Sequence, residues 1–355
     1  MKNLLKFLTF SLLLALVTTS CSSDDDLVIP PVSLGDYANG IIVSAEGGPA
    51  SISYISNDFS VIENNVYENV NGEAPGVYLQ SIGFNNNEAY IVSDNVNVIN
   101  VVNRYTFENE GVIATGLQTP RYIDFVNGKG YVSNWGDGSD TSDDFIAVID
   151  LATNTVETTI PIGEGPERVL VHNGNVYVSH KGGWNVNNII SVIDLSDNSV
   201  STITVNDTPD EMIINSSNEL VVLSEGANLY WQTPPVETQA SITKIDLATN
   251  TVSETLTFAN GAHPSQMAFD NGTIYYVLNN EVFAMSETET TLPTASIINL
   301  GAITTYGLAV NDGNVYVTDA KDFSSVGDLL VYDLGSTVLI NTFEVGVNAS
   351  KIYFN

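Results

Sequence analysis

One short phrase recurs seven times in this 355-residue chain, and that recurrence constrains the fold more than any other feature. VYVS at Val176 returns as AYIVS at Ala89, GYVS at Gly130, LVVLS at Leu220, IYYVL at Ile274 and VYVT at Val315, with GIIVS at Gly40 as a worn copy. The spacing, about 40 to 55 residues, is the period of a propeller blade and too long for ankyrin or leucine-rich repeats. A second phrase lies between the copies: AVIDLATNTV from Ala147, SVIDLSDNSV from Ser191, TKIDLATNTV from Thr243 and LVYDLGSTV from Leu330. Each reads as strand, tight turn, strand, because Asp caps the turn through its side chain and the following Asn or Gly tolerates a left-handed backbone. A third phrase precedes VYVS: TPRYIDFVNGKG, GPERVLVHNGN, TPDEMIINSSNE, HPSQMAFDNGT and the proline-less TTYGLAVNDGN. Here an apolar strand usually opens on proline, and an Asn-Gly or Asp-Gly pair or a Ser-rich turn closes it in a hairpin.

One unit is therefore four antiparallel strands, a to d, and seven units predict an all-β chain folded as a seven-bladed β-propeller over residues 39–355. The two ends are complementary. GIIVS has no strand a before it, and VGVNASKIYFN, residues 345–355, reads as a strand a with nothing after it. The C-terminal strand is expected to complete the first blade and pair its otherwise open edge.

These phrases resemble the YVTN-type surface-layer and YncE-like β-propellers, whose signature is close to VYVSN followed by a strand like VIDLATNTVxxTI. The resemblance covers about residues 37–355 and speaks to fold, since propellers are scaffolds whose chemistry lives in their loops.

The chain carries 10 Lys plus Arg against 42 Asp plus Glu, a formal charge of −32, which excludes partners that bind through a basic surface, nucleic acid above all. With 43% hydrophobic residues it is apolar enough to build a core, so the acidity reads as solubility rather than disorder. At the start, MKNLLKFLTFSLLLALVTTSC joins two lysines, an apolar run too short to span a bilayer, and small residues leading to Cys21, the chain's one cysteine. This resembles a bacterial lipoprotein signal, with residues 1–20 cleaved and Cys21 lipidated. The SSDDD that follows is similar to the acidic export tag of Bacteroidota surface lipoproteins, and residues 21–38 read as a tether containing Pro30-Pro31. The expected location is the outer membrane, held by the lipid alone and exposed at the cell surface.

Loop lengths sort by face. The a-to-b and c-to-d turns are minimal, whereas the b-to-c loops of four blades are long: residues 134–145, 180–188, 225–239 and 319–328. Long loops on one side of a rigid scaffold are where binding sites are built. Trp135, Trp184 and the Tyr230-Trp231 pair lie in three successive loops of that set, so all three tryptophans converge on one sector. Either each plugs its own blade, or together they form a rim for something flat or apolar. Polar residues after the strand-a proline line the channel mouth, among them Arg121, Tyr122, Arg168 and, in the variant copy, Tyr306. Arg121 and Arg168 read as equivalent positions of neighbouring blades, able to hold amide, carboxylate or phosphate groups, or to pair with Glu167 and Asp210.

His180 belongs to the loop-rich face and joins the candidate ligand-binding set. No His-x-His or His-x-x-x-His spacing exists, so no metal site is expected. The DGSDTSDD loop, residues 137–144, lacks the bidentate Glu of a calcium loop and reads as a solvated acidic loop. No nucleophile motif or phosphate loop is present; neither enzyme activity nor a cofactor is expected. A lipid-anchored YncE-like propeller with a Trp-rich face looks like the surface lipoproteins that seize vitamin B12, which implies a small-molecule ligand such as a corrinoid and a TonB-dependent outer-membrane transporter as partner. A protein- or glycan-binding module of the envelope is the alternative, since Trp, Tyr and Arg also dominate interface hot spots.

Overall fold

The computed structural model describes residues 34–355; the expected signal peptide, Cys21 and most of the tether lie outside the described residues. The alternating apolar phrases form seven four-stranded antiparallel sheets, the blades of a β-propeller. Blade 3 is representative. Its strand a is Pro120–Val126, b is Lys129–Asn134, c is Phe145–Asp150 and d is Thr155–Pro161. Strands b and c are buried almost throughout because each is covered on both faces by neighbouring blades, whereas d alternates outward. The core therefore lies between blades: Tyr90, Val92 and Val101 of blade 2 pack against Ile123, Val132 and Ala147 of blade 3.

Ring closure follows the expected route. Ala349–Phe354 pairs antiparallel with Gly40–Ala45 and becomes strand a of blade 1, whose outer strands are Ser51–Ser56 and Ile62–Glu63. The last residue pins the joint. Asn355 donates its side-chain amide to the carbonyls of Tyr37 at 2.7 Å and Arg104 at 2.8 Å, and accepts Arg104 Nε at 2.7 Å. Tyr37, at the end of the expected tether, is already buried against Tyr54 and Phe107.

Every strand a carries a bulge near its start. In blade 3, Pro120 faces Asn134 and Ile123 faces Val132, so Arg121 and Tyr122 share one partner, Ser133. The same shift falls at 79/81, 166/169, 209/212, 265/267 and 305/307, and on the strand-b side at 44/45 in blade 1. The bulge turns the local backbone and aims side chains at the channel mouth. The repeat serine explains how it is held. Ser133 Oγ accepts Tyr122 N–H at 3.1 Å and donates to Glu167 O of blade 4 at 2.6 Å. Ser179 Oγ accepts Arg168 N–H at 3.1 Å, and Thr318 Oγ1 donates to Ser350 O of blade 1 at 3.4 Å. The approach is close enough that a Cβ on Gly307 would sit 2.0 Å from Ser350 O.

Two elements were not expected from the repeats. Val66–Asn71 is a short helix on the connection from blade 1 to blade 2, closed by Gly72 in the left-handed conformation. Within the 225–239 loop, Asn228–Leu229 pairs with Val236–Glu237 as a small hairpin.

Asn355→Ala is expected to cost about 2 to 3 kcal/mol, the loss of three partly buried hydrogen bonds, seen as a lower urea midpoint with an unchanged m-value. A midpoint equal to the parent's would mean that strand pairing alone closes the ring.

Candidate functional site

The channel mouth is an ion-pair ring rather than a set of free arginines. Arg121 clasps Glu167 through Nε at 3.2 Å and Nη2 at 2.9 Å, and reaches Asp94 of blade 2 at 3.2 Å. Arg168 pairs with Asp210 at 3.0 Å and with Glu211. Lys181 bridges Asp210 at 2.8 Å and Glu225 at 3.0 Å. Burial alone would pull the Arg121 guanidinium down, but Glu167 more than reverses it and holds Arg121 above its ordinary value. Burial pushes Asp210 upward, and Lys181 and Arg168 override it, so this carboxylate stays ionised. Burial raises Glu211 and Glu225.

The register corrects one expectation. Arg121 and Arg168 are not equivalent: Pro120 and Pro166 align, so Arg121 matches Glu167 and Asp210, while Arg168 matches Tyr122 and Glu211. Arg121 reaches Glu167 at the matching position of the next blade, while Arg168 reaches Glu211 at its own level and Asp210 one residue back. Tyr122 carries the Arg168 guanidinium over its ring at 4.2 Å. Tyr306 donates its hydroxyl to Glu46 at 3.1 Å, and burial first, then Glu46, pushes that phenol well up.

A second ring escaped the sequence reading. In blades 1 to 5 the residue just after strand b occupies one level of the mouth: Glu46, Asp94, Trp135, Lys181 and Glu225. The signal was present, one position beyond the repeat phrase, but the residue type changes from blade to blade. Among the described residues Lys351, the blade 1 counterpart of Arg168, is a channel cation without an ion pair within 4.0 Å; burial, with Arg168 nearby, lowers its pKa.

The tryptophans divide into two roles. Trp135 is half-buried, donates Nε1 to Pro166 O at 2.9 Å and lies under the Arg121 guanidinium at 4.0 Å, which makes it a plug between blades 3 and 4. Trp184 meets Trp135 edge-on at 6.4 Å and is itself 76% exposed. Tyr230 and Trp231, 76% and 62% exposed, meet edge-on at 5.1 Å beside the inserted hairpin. Between Trp184 and Trp231 runs an open groove of about 440 Å³, with Lys181, Asn185, Thr208, Glu225, Asn228, Leu229, His263 and Ser265 among its lining.

His180 is fully buried, its Nδ1 at 3.0 Å from Glu164 O and its Nε2 at 2.9 Å from Ser191 Oγ, so it braces the loop base instead of facing a ligand. Burial brings its pKa down to about 4. In the acidic loop, Asp137 and Asp140 each cap a serine two residues on, and Asp144 accepts Gly165 N–H at 2.5 Å. Asp137 and Asp140 serve the loop's own turns, Asp144 ties the loop to the entry of blade 4, and among the described residues no cluster of three potential ligands could hold a metal.

No family model matches the chain, and no curated protein matches it. Solved structures do. The computationally designed Ika8 protein aligns with TM-score 0.58 at 11% identity, covering 89% of this chain and 88% of its own. Hydrazine synthase of Kuenenia stuttgartiensis aligns with TM-score 0.60 at 16% identity over 77% of this chain and 88% of its own. Dihydro-heme d1 dehydrogenase NirN, solved in complex with DHE, aligns with TM-score 0.57 at 11% identity over 90% of this chain and 76% of its own. Likeness at this identity shows the propeller fold, which two enzymes and a designed protein share, and leaves catalysis open.

Arg168→Met is expected to destabilise the domain by about 3 to 5 kcal/mol, because it strands Glu211 as a buried carboxylate and leaves Asp210 with Lys181 alone. A loss under about 1 kcal/mol in urea melts would show that water already solvates them. For His180, a folded pKa near 4 lies below the unfolded value of about 6.5. Its contribution is therefore complete above pH 6.5 and lost as pH falls through 4. The stability gap between the parent and His180→Gln should narrow by about 3 kcal/mol from pH 7 to pH 4; a constant gap would place a charged imidazole in the fold.

Proposed function

We propose that this chain is a ligand-capture protein whose binding element is the groove between Trp184 and Trp231. The observation that carries the reading is the pair of exposed indoles flanking a groove of about 440 Å³ on the long-loop face, with Tyr230 standing exposed beside Trp231. Indole faces left in water gain from covering a flat apolar surface, and the amide and hydroxyl groups along the groove orient what is covered. The ion-pair ring beneath supplies a rigid floor.

The corrinoid reading survives here as a proposal: a corrinoid would lay an amide-fringed edge of its macrocycle between the indoles, with the rest of the ring outside the groove. Delivery to a TonB-dependent transporter and attachment by a lipidated Cys21 belong to the same proposal. A protein-binding role is the second reading, favoured by the Tyr230-Trp231 pair standing out at the hairpin tip.

Isothermal titration with cyanocobalamin, with haem and oligosaccharides as comparators, tests the groove. Trp184→Ala should weaken small-ligand binding tenfold or more, about 1.4 kcal/mol, with no change in melting temperature, since the indole is mostly exposed. Retention of ligand affinity in that variant, with loss of a protein partner in pull-down, would transfer the site to the second reading.

A further inference from the structure

Resting on the capture reading above, we infer that the occupant of the groove is a neutral, hydroxyl-rich ring, a saccharide of about two sugar units. Charge argues first. The chain is at −32, and the one lysine in the lining, Lys181, has its ammonium spent on Asp210 at 2.8 Å and Glu225 at 3.0 Å. An anionic ligand would meet a repulsive field with no free cation in the lining to offset it. Glu225 is in turn occupied by Lys181, so a cationic ligand finds no uncommitted counter-ion in the lining either.

Geometry argues second. The two indoles are not folded onto one another in a cage: Trp184 contacts Trp135 and Trp231 contacts Tyr230, which leaves them as separate walls of an open slot. Two walls suit the flat C–H faces of a ring better than the compact ammonium that a cage takes.

Hydrogen-bonding capacity argues third. Asn185, Asn228, Thr208 and Ser265 line the slot with uncharged polar groups; Asn185 already donates to Glu164 and Thr208 to Asp207 O, so Asn228 and Ser265 offer the free donors and all four offer acceptor oxygens of the kind that sugar hydroxyls require. His263 adds a directional group. Its Nδ1 lies 2.9 Å from Glu225 O and must donate to it, which leaves Nε2 as a bare acceptor with no partner at the groove wall. A small opening of the wall would offer that acceptor to a ligand hydroxyl. A slot of about 440 Å³ encloses a disaccharide, whereas a corrinoid fills it only with an edge.

The test is a titration of the purified protein with maltose, cellobiose and lactose, alongside glucuronate, choline and cyanocobalamin, read by tryptophan fluorescence and calorimetry. The inference expects a neutral disaccharide to bind at least tenfold more tightly than glucuronate or choline, to lose tenfold or more in Trp231→Ala, and to keep part of that affinity in Trp231→Phe. Binding of cyanocobalamin alone, or of choline or glucuronate alone, through Trp184 and Trp231 would overturn the saccharide assignment and leave the capture reading standing. Silence of the whole panel in a protein with a cooperative melt would overturn both.

Discussion

The hydrogen bond from the hydroxyl at the end of strand b to the backbone of the next blade holds the channel mouth in place. Ser133 reaches Glu167 O and Thr318 reaches Ser350 O, and serines at the same level also fill the N–H left open by the strand-a bulge. One hydroxyl thus answers two buried backbone groups that would each cost about 1 to 3 kcal/mol unpaired. In blade 3, without it the Tyr122 N–H and the Glu167 carbonyl would go unpaired, and Arg121 and Tyr122 would lose their aim. The repeat keeps Ser or Thr here in blades 1, 3, 4 and 7, whereas blades 2, 5 and 6 place Val92, Leu223 and Val277 opposite the bulge, and in blade 6 Gln266 takes a positive φ of 50°.

The charged ring is a consequence of that aim. Consecutive bulges present acid and base side by side at the mouth, so each guanidinium lands on a carboxylate of the next blade. Buried ion pairs return little net stability against well-packed apolar groups, but removing one partner is costly. The ring therefore acts as a register check: a shift of blade 4 by one residue would take Arg168 away from Glu211 and from its place over the Tyr122 ring.

Much of the fold was legible because its determinants are local and repeated. Strand, turn and strand each carry their own residue signature, and the missing strand a at Gly40 paired with the surplus strand at Ala349 by counting alone. The site was legible only in part. That Trp135, Trp184 and Trp231 share a face followed from loop order, but their separate fates depend on what lies beneath: Arg121 and Pro166 capture Trp135, and nothing comparable covers Trp184. Arg121 stands one residue and Arg168 two residues after the strand-a proline, and the partners that turn both from ligand contact to ion pairing come from the neighbouring blades, which no single repeat phrase displays. The helix at Val66 and the hairpin at Asn228 have no counterpart in other blades, so repetition offered no template for them.

The groove owes its position to a mismatch between loops and scaffold. Blades 4 and 5 share the spacing of their neighbours at the channel, yet their b-to-c loops are longer than the ring needs, and the excess residues stand on either side of the seam between them. Glycines make the near wall possible. Gly182 and Gly165 both take positive φ, and a Cβ on Gly165 would fall 2.2 Å from Gly183 N, so the 180–188 loop descends onto the blade 4 entry and lifts Trp184 clear of it. On the far wall, Gly226 at φ 72° and the pairing of Asn228–Leu229 with Val236–Glu237 carry Tyr230 and Trp231 outward. Two walls braced by backbone rather than by each other's side chains can stay apart without an occupant, and a slot held open in this way keeps its indoles available to a ligand instead of collapsing them into contact.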